Sequence, residues 1–177
     1  MNSEDPMSDH TTTERAPVRS DPPRGTQVSH VGRVLLVVVG IATIVVPVLL
    51  DGVILASRHM NNPAWLPHAK LHTAMGFFAA IGLGVGALIC LLGRPVTDRF
   101  SMATGAYLAG AFWIAVLAAG CWPGTSYFFV DDPVYSHPLY RPEFLGMPDN
   151  VATAVLMIVL VVIGLTLVLR RQKTSTD

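Results

Sequence analysis

Apolar residues gather into four long blocks, at 34–56, 72–93, 100–121 and 151–169, and polar residues are held to the ends and joints between them. A helix needs roughly 20 mostly apolar residues to cross the hydrocarbon of a bilayer, and each block has about that length. A single block of this kind can be a buried helix of a water-soluble protein. Four of them in 177 residues leave too little chain to cover them all. Lipid does not satisfy free backbone N–H and C=O groups, so a helix is the natural form of each block. The pattern predicts an all-α, integral membrane four-helix bundle with helices over about 33–57, 67–93, 99–121 and 149–171. A long outer loop, about 122–150, joins the third helix to the fourth. The transmembrane domain then covers 31–171, between a disordered tail at 1–30 and a short one at 172–177. The tail is rich in Ser, Thr, Asp, Pro and Arg and nearly free of aliphatic residues, so it lacks the apolar surface to fold alone. The first block is longer than the core of a secretory signal and follows a long tail, which favours an uncleaved span.

Composition sharpens this picture in one respect. The chain is 51% hydrophobic and 14% charged, with 12 basic residues against 12 acidic ones. No net field favours nucleic acid, so the lipid bilayer is the expected partner. The balance is segregated, however. Nine Lys and Arg lie in the tails and the second loop (Arg15, Arg19, Arg24, Arg33, Arg94, Arg99, Arg170, Arg171 and Lys173). Three lie in the first and third loops (Arg58, Lys70 and Arg141). Basic residues stay on the cytoplasmic side, so both termini are expected to be cytoplasmic, in the plasma membrane, with the first and third loops outside.

Within the spans, small residues mark where helices approach. Gly82 and Gly86 lie four apart, and with Gly76 and Ala79 they form a smooth stripe on the second helix. Ala103, Ala106 and Gly110 do the same on the third, so helices two and three are expected to pack closely. The Gly82/Gly86 face also suits a homodimer. The fourth span, uniformly Leu, Val and Ile, is expected to be the most lipid-exposed. Pro47 breaks one hydrogen bond inside the first span, with Thr43 one turn before it to help satisfy a freed carbonyl. Cys90 and Cys121 fall near opposite ends of neighbouring helices, too far apart for a disulfide, and read as small apolar fillers.

Candidate chemistry collects at the outer end. Asp51 comes one turn after Pro47. A carboxylate at that depth is either part of a site or a residue at headgroup level. The first loop and the start of the second helix read NNPAWLPHAKLH at 61–72. Asn61-Asn62-Pro63 is a turn signal, Trp65 an interfacial anchor, and Pro67 fits the first position of a helix. A helix starting there puts His68 and His72 one turn apart on one face, and continuing that stripe through Met75, Gly76 and Ala79 aims it into the bundle. Two histidines at this spacing chelate a metal if other ligands converge. Asp51, His59, Asp131, Asp132, His137 and Glu143 are on the same side. The alternative is that His68 and His72 are interfacial groups hydrogen-bonded to Asp51 and the third loop. Haem fits poorly, because two histidines on one turn cannot take opposite faces of one iron. The aromatic residues Tyr127, Phe128, Phe129, Tyr135 and Tyr140 suggest that the third loop packs as a lid, with Asp149 or Asn150 capping the fourth helix. Asp51, Asn62, Trp65, His68 and His72 are therefore the candidate ligand-binding residues. Asp51, His68 and His72 are the candidate acid–base set. No nucleophile elbow, phosphate loop or nucleic-acid surface is visible.

The residues Asp51, Asn62, Pro63, Trp65, Pro67, His68, Ala69 and His72 form a pattern, Asp…Asn-Pro-x-Trp-x-Pro-His-Ala-x-x-His. It resembles that of a family of small four-span membrane proteins with no established activity. The resemblance covers roughly 34–170 in layout and implies a topology and a site. A weaker likeness is to the four-span sterol-isomerase-like fold, which moves protons on lipids with buried His and carboxylate groups. The polar groups here lie nearer the helix ends. Three functions remain: ligand-binding or accessory membrane protein, lipid-directed acid–base enzyme, and metal-binding protein. Transport through an oligomer is a fourth.

Overall fold

Each apolar block becomes a helix. The computed structural model describes residues 24–130, 132, 134–137 and 143–170. The helices are α1 (Arg24–Leu49), α2 (Pro67–Leu92), α3 (Arg99–Ala119) and α4 (Asp149–Arg170). All four are long and apolar enough to cross a membrane. At 1.5 Å per residue, the shortest spans about 32 Å, against a hydrocarbon thickness of about 30 Å. A two-residue hairpin, β1 (Glu143–Phe144) with β2 (Met147–Pro148), precedes α4. Its turn holds Leu145 and Gly146 at positive φ (53° and 73°), the twist that a two-residue hairpin needs.

α1 begins at Arg24, nine residues before the expected 33, so the end of the presumed tail is helical. Residues 1–23 and 171–177, with Asp131, Tyr140 and Arg141, lie outside the described residues. The α-helical part of α1 stops at Leu49, short of the expected 57. The chain continues as one π-helical turn, Leu50–Ile54, whose wider ring is closed by Leu55 N–H donating to Leu50 O at 2.6 Å. This turn follows Pro47, which has no N–H to give to the carbonyl one turn before it.

Consecutive helices pack side by side and α4 returns to α1, so the bundle closes. α1 and α3 also meet across the diagonal, whereas α2 and α4 do not pack closely. The buried centre is made of Leu36 and Val39, Ala87 and Leu91, Met102, Ala106, Ala109 and Trp113, and Ala154 and Val168. The large aliphatic residues of the outer faces, such as Val34, Ile41, Ile89 and Val162, stay exposed, as lipid-facing positions should. α4 is the least buried helix. Thr43 is fully buried and ties α1 to α3. Its hydroxyl lies 2.9 Å from Val39 O and 3.0 Å from Ala109 O, and it accepts the Trp113 indole N–H at 2.9 Å. The hydroxyl thus serves a neighbouring helix rather than the carbonyl freed by Pro47.

Glycine sets the closest approaches, but not at the expected pair. A Cβ on Gly32 would lie 2.6 Å from Gly164 O, and one on Gly164 would lie 2.9 Å from Gly32 O, so α1 and α4 touch backbone to backbone. Gly84 meets Gly40 O and Ile44 of α1, and Gly105 meets Leu91 of α2. Gly86 faces Leu108 of α3, but Gly82 and Gly76 have open space around them. Nor does the stripe His68, His72, Met75, Ala79 point inward, since all four residues are exposed. The face packed against the bundle is that of Ala80, Gly84, Ala87 and Leu91.

At the end carrying the α2–α3 connection, the helix termini are satisfied locally. Asp98 caps α3, accepting the Ser101 N–H and hydroxyl at 3.1 and 2.8 Å. Arg33 reaches from α1 to Leu92 O, 3.2 Å away, at the C-terminus of α2, where a cation suits both the free carbonyl and the helix dipole. Adding a methyl group at the two glycine environments should separate them. Gly32→Ala is expected to destabilise the bundle by about 1–3 kcal/mol through backbone overlap. Gly82→Ala should be neutral or stabilising by up to about 1 kcal/mol. Thermal unfolding of the two variants in one detergent measures the difference.

Candidate functional site

At the opposite end, the π-helical turn turns α1 into the first loop and carries Asp51. Its carboxylate pairs with His59, eight residues on, with Asp51 Oδ1 3.0 Å from His59 Nδ1. The two groups are not aligned for a hydrogen bond, so Nδ1 is buried and has no hydrogen-bonding partner among the described residues. The His59 side chain is 17% exposed and that of Asp51 41%. The imidazole is held between two aromatic rings from different loops: Trp65, with centroids 5.5 Å apart, and Phe129, 5.2 Å away.

Asn62 organises the first loop. It is 2% exposed, and every polar atom of its side chain is used. Oδ1 accepts the Ala64 N–H at 2.9 Å, the turn expected of Asn before Pro63. Nδ2 donates to Arg58 O at 3.2 Å and to Asp132 Oδ2 at 2.8 Å. Asp132 in turn accepts the Val134 and Tyr135 N–H groups with its other oxygen, each at 2.8 Å. The Arg58 guanidinium lies 5.5 Å from the centre of the Tyr135 ring, a cation–π contact. One amide and one carboxylate therefore fasten the α3–α4 segment onto the first loop. These bonds, led by the Tyr135 N–H and followed by the Asn62 side chain, hold the Asp132 carboxyl below its ordinary value of 3.8.

The α3–α4 segment also seals the end of α3. The Tyr127 hydroxyl lies 3.1 Å from Val116 O and 3.0 Å from Leu117 O, and Thr125 Oγ1 reaches Ala119 O at 2.7 Å. These are carbonyls that the last turn of a helix leaves unpaired. Gly120 leaves room for the Tyr127 ring, which a side chain there would strike. At the start of α4, Asp149 accepts the Asn150 N–H at 2.8 Å and Asn150 accepts the Val151 N–H at 2.9 Å, so both residues serve the helix end.

Between the π-helical turn, the end of α3, the α3–α4 segment and the start of α4 is a cavity of about 230 Å³. Val46, Pro47, Leu50, Phe112, Trp113 and Val116 form its apolar wall. Asp51, Arg58, His59, Asp149, Asn150 and Thr153 supply polar groups, and Tyr127, Phe128 and Phe129 cover it. It lies just below the size of about 300–1,000 Å³ usual for small-molecule sites.

His68 and His72 are not in this wall. Their Nε2 atoms are 3.0 Å apart, with the rings edge to face, so they pair with each other on the exposed face of α2. Pro67 does start that helix, with Leu66 extended before it. Trp65 touches the site through His59, and Asn62 touches it through Arg58 and Asp132, without lining the cavity. Thus Asp51 meets His59, not His68 or His72. Among the described residues, no three His, Cys, Asp or Glu side chains come together as a metal cage. Cys90 and Cys121 are free thiols. The sequence pattern missed the pairing of Asp51 with His59, and the parts played by Phe112, Trp113 and Thr153. No family model, curated protein or solved structure matches the chain.

The lowered Asp132 value fixes the sign of a pH effect. A carboxyl held low in the folded state contributes stability that is present above its unfolded range. That stability is lost as pH falls through the folded value. Attachment of the α3–α4 segment should therefore be complete at neutral pH and weaken on acidification below the usual carboxylate range. Asn62→Ala should weaken it at every pH and move the acid loosening to higher pH. Limited proteolysis between 120 and 148, followed against pH, reads both effects.

Proposed function

We propose that this multi-pass membrane protein holds a small amphiphile in the cavity beside Asp51 and His59, as a ligand-binding or accessory protein. The observation that carries the reading is the mixed lining of the cavity. Its lining combines aliphatic and aromatic residues of α1 and α3 (Val46, Leu50, Phe112, Trp113 and Val116) with the polar side chains of Asp51, Arg58, His59, Asp149, Asn150 and Thr153. A ligand with an apolar body and one polar end matches that lining. The carboxylate of Asp51 is partly open, and its contact with His59 is not a full hydrogen bond, so both retain capacity for a ligand's polar group. Segregation of Lys and Arg supports placing both termini in the cytoplasm, with the cavity at the outer face of a plasma membrane. The resemblance to four-span proteins sharing the Asp51 and Asn62–His72 pattern accords with this layout.

One observation favours a second reading, acid–base catalysis on an apolar substrate. A carboxylate beside an imidazole at a cavity wall is the arrangement of a general base and its orienting group. Here the base would be His59, with the Asp51 carboxylate 3.0 Å from its Nδ1 as the candidate orienting group.

Native mass spectrometry of the full chain released from nanodiscs tests the binding reading. The wild type should carry a small-molecule adduct, and Val116→Trp, which fills the cavity, should lose it while remaining folded. Asp51→Asn should reduce its occupancy severalfold. An adduct equally abundant in the wild type and in Val116→Trp, or absent from both, would contradict the proposal. The catalytic reading requires more: His59→Gln must abolish conversion of the identified ligand while the ligand still binds.

A further inference from the structure

α2 begins with Pro67, and its first two turns carry His68 and His72 on a face that touches no other helix. Both imidazoles are exposed, and their Nε2 atoms are 3.0 Å apart. In the neutral pair, one Nε2–H donates to the lone pair of the other. Each ring stands edge-on to its neighbour, 4.5 Å between centroids. Both side chains are exposed, and a turn about their terminal bonds would direct both lone pairs to the same point beside the helix.

We propose that His68 and His72 form a two-ligand chelating site for a divalent first-row transition ion, Cu²⁺ or Ni²⁺ in preference to Zn²⁺. The preference follows from geometry. If the turned rings keep the 3.0 Å spacing of the paired nitrogens, an ion about 2.1 Å from each sees them at an angle of about 90°. That angle matches adjacent positions of a tetragonal or octahedral ion, with water in the remaining positions. A tetrahedral Zn²⁺ would need the nitrogens about 3.4 Å apart. The helix holds the two side chains one turn apart before the ion arrives, so little ordering is left for binding to do. Lys70, two residues after His68, is carried to another face of the helix and does not place its charge beside the ion. Since neither histidine lines the cavity, the site is independent of the ligand proposed there.

The experiment uses the full chain without a polyhistidine tag, stripped with chelator and reconstituted in nanodiscs. CuCl₂, NiCl₂ and ZnCl₂ are titrated separately by calorimetry, and the copper form is examined by electron paramagnetic resonance. The wild type should bind one ion at this site, with Cu²⁺ and Ni²⁺ tighter than Zn²⁺, and the copper spectrum should show two nitrogen ligands. His68→Gln and His72→Gln should each weaken binding at least tenfold, and the double variant should lose the two-nitrogen spectrum. His30→Gln, on another helix, should leave both unchanged. Retention of the two-nitrogen spectrum in the double variant would overturn the proposal, as would failure of the wild type to bind any of the three ions. Tighter binding of Zn²⁺ than of Ni²⁺ would overturn the assigned geometry.

Discussion

The loop end of this protein depends on how α1 copes with a proline inside a membrane span. In hydrocarbon the lipid cannot serve a freed carbonyl, and a local change to a π-helical turn is one of the ways a span accommodates a proline. Pro47 takes one N–H out of the series. The chain next widens into a single π-helical turn at Leu50–Ile54 and only then enters the first loop. Widening shifts every following residue around the helix axis. Asp51 sits inside the widened turn, and the chain beyond it brings His59 back to 3.0 Å. π-Helical turns are frequent at functional sites, and this one carries Asp51 where the span ends. The cavity lies against this turn, with Pro47, Leu50 and Asp51 in its wall.

The rest of the bundle holds that turn in place with two kinds of contact. Where lipid is as apolar as the core, burial of apolar area drives helix association only weakly, and close packing of small residues takes over. Gly32 against Gly164, Gly84 against Gly40 and Gly105 against Leu91 are the three such contacts, one for each of three helix pairs. The second kind is polar. Thr43 bridges α1 and α3 one turn before Pro47, meeting Trp113, whose ring also lines the cavity. A hydrogen bond between spans is worth roughly 0.6 kcal/mol on average, so its main effect is to fix the rotation of α1 relative to α3. At the loop end, Asn62 and Asp132 play the same part, joining two connections that share no helix.

How much of this was legible beforehand follows from what a lipid environment hides. The four spans are legible because their length and composition leave no other home for them. The start of α2 at Pro67, the turn at Asn62 and the meeting of His68 with His72 are legible because each is local chemistry with a fixed period. The direction of the His68–Ala79 stripe is not. In a water-soluble helix the polar face declares the outside, but in a membrane span both sides are apolar and the contrast is lost. The spacing showed which residues share a face and not where that face points. The partner of Asp51 was hidden for a different reason. Asp51 and His59 are joined by a wide turn and a loop rather than a regular helix, so their meeting leaves no periodic signature. Pro47 was the available clue that the helical count fails there.

Asp51 pairs with His59, while His68 and His72 pair with each other. A pair of double-mutant cycles on unfolding stability measures that directly, one combining Asp51→Asn with His59→Gln and the other combining Asp51→Asn with His68→Gln. The structure predicts a coupling of at least about 0.5 kcal/mol in the first cycle and additivity within error in the second. Additivity in the first cycle together with coupling in the second would contradict the placement of the site.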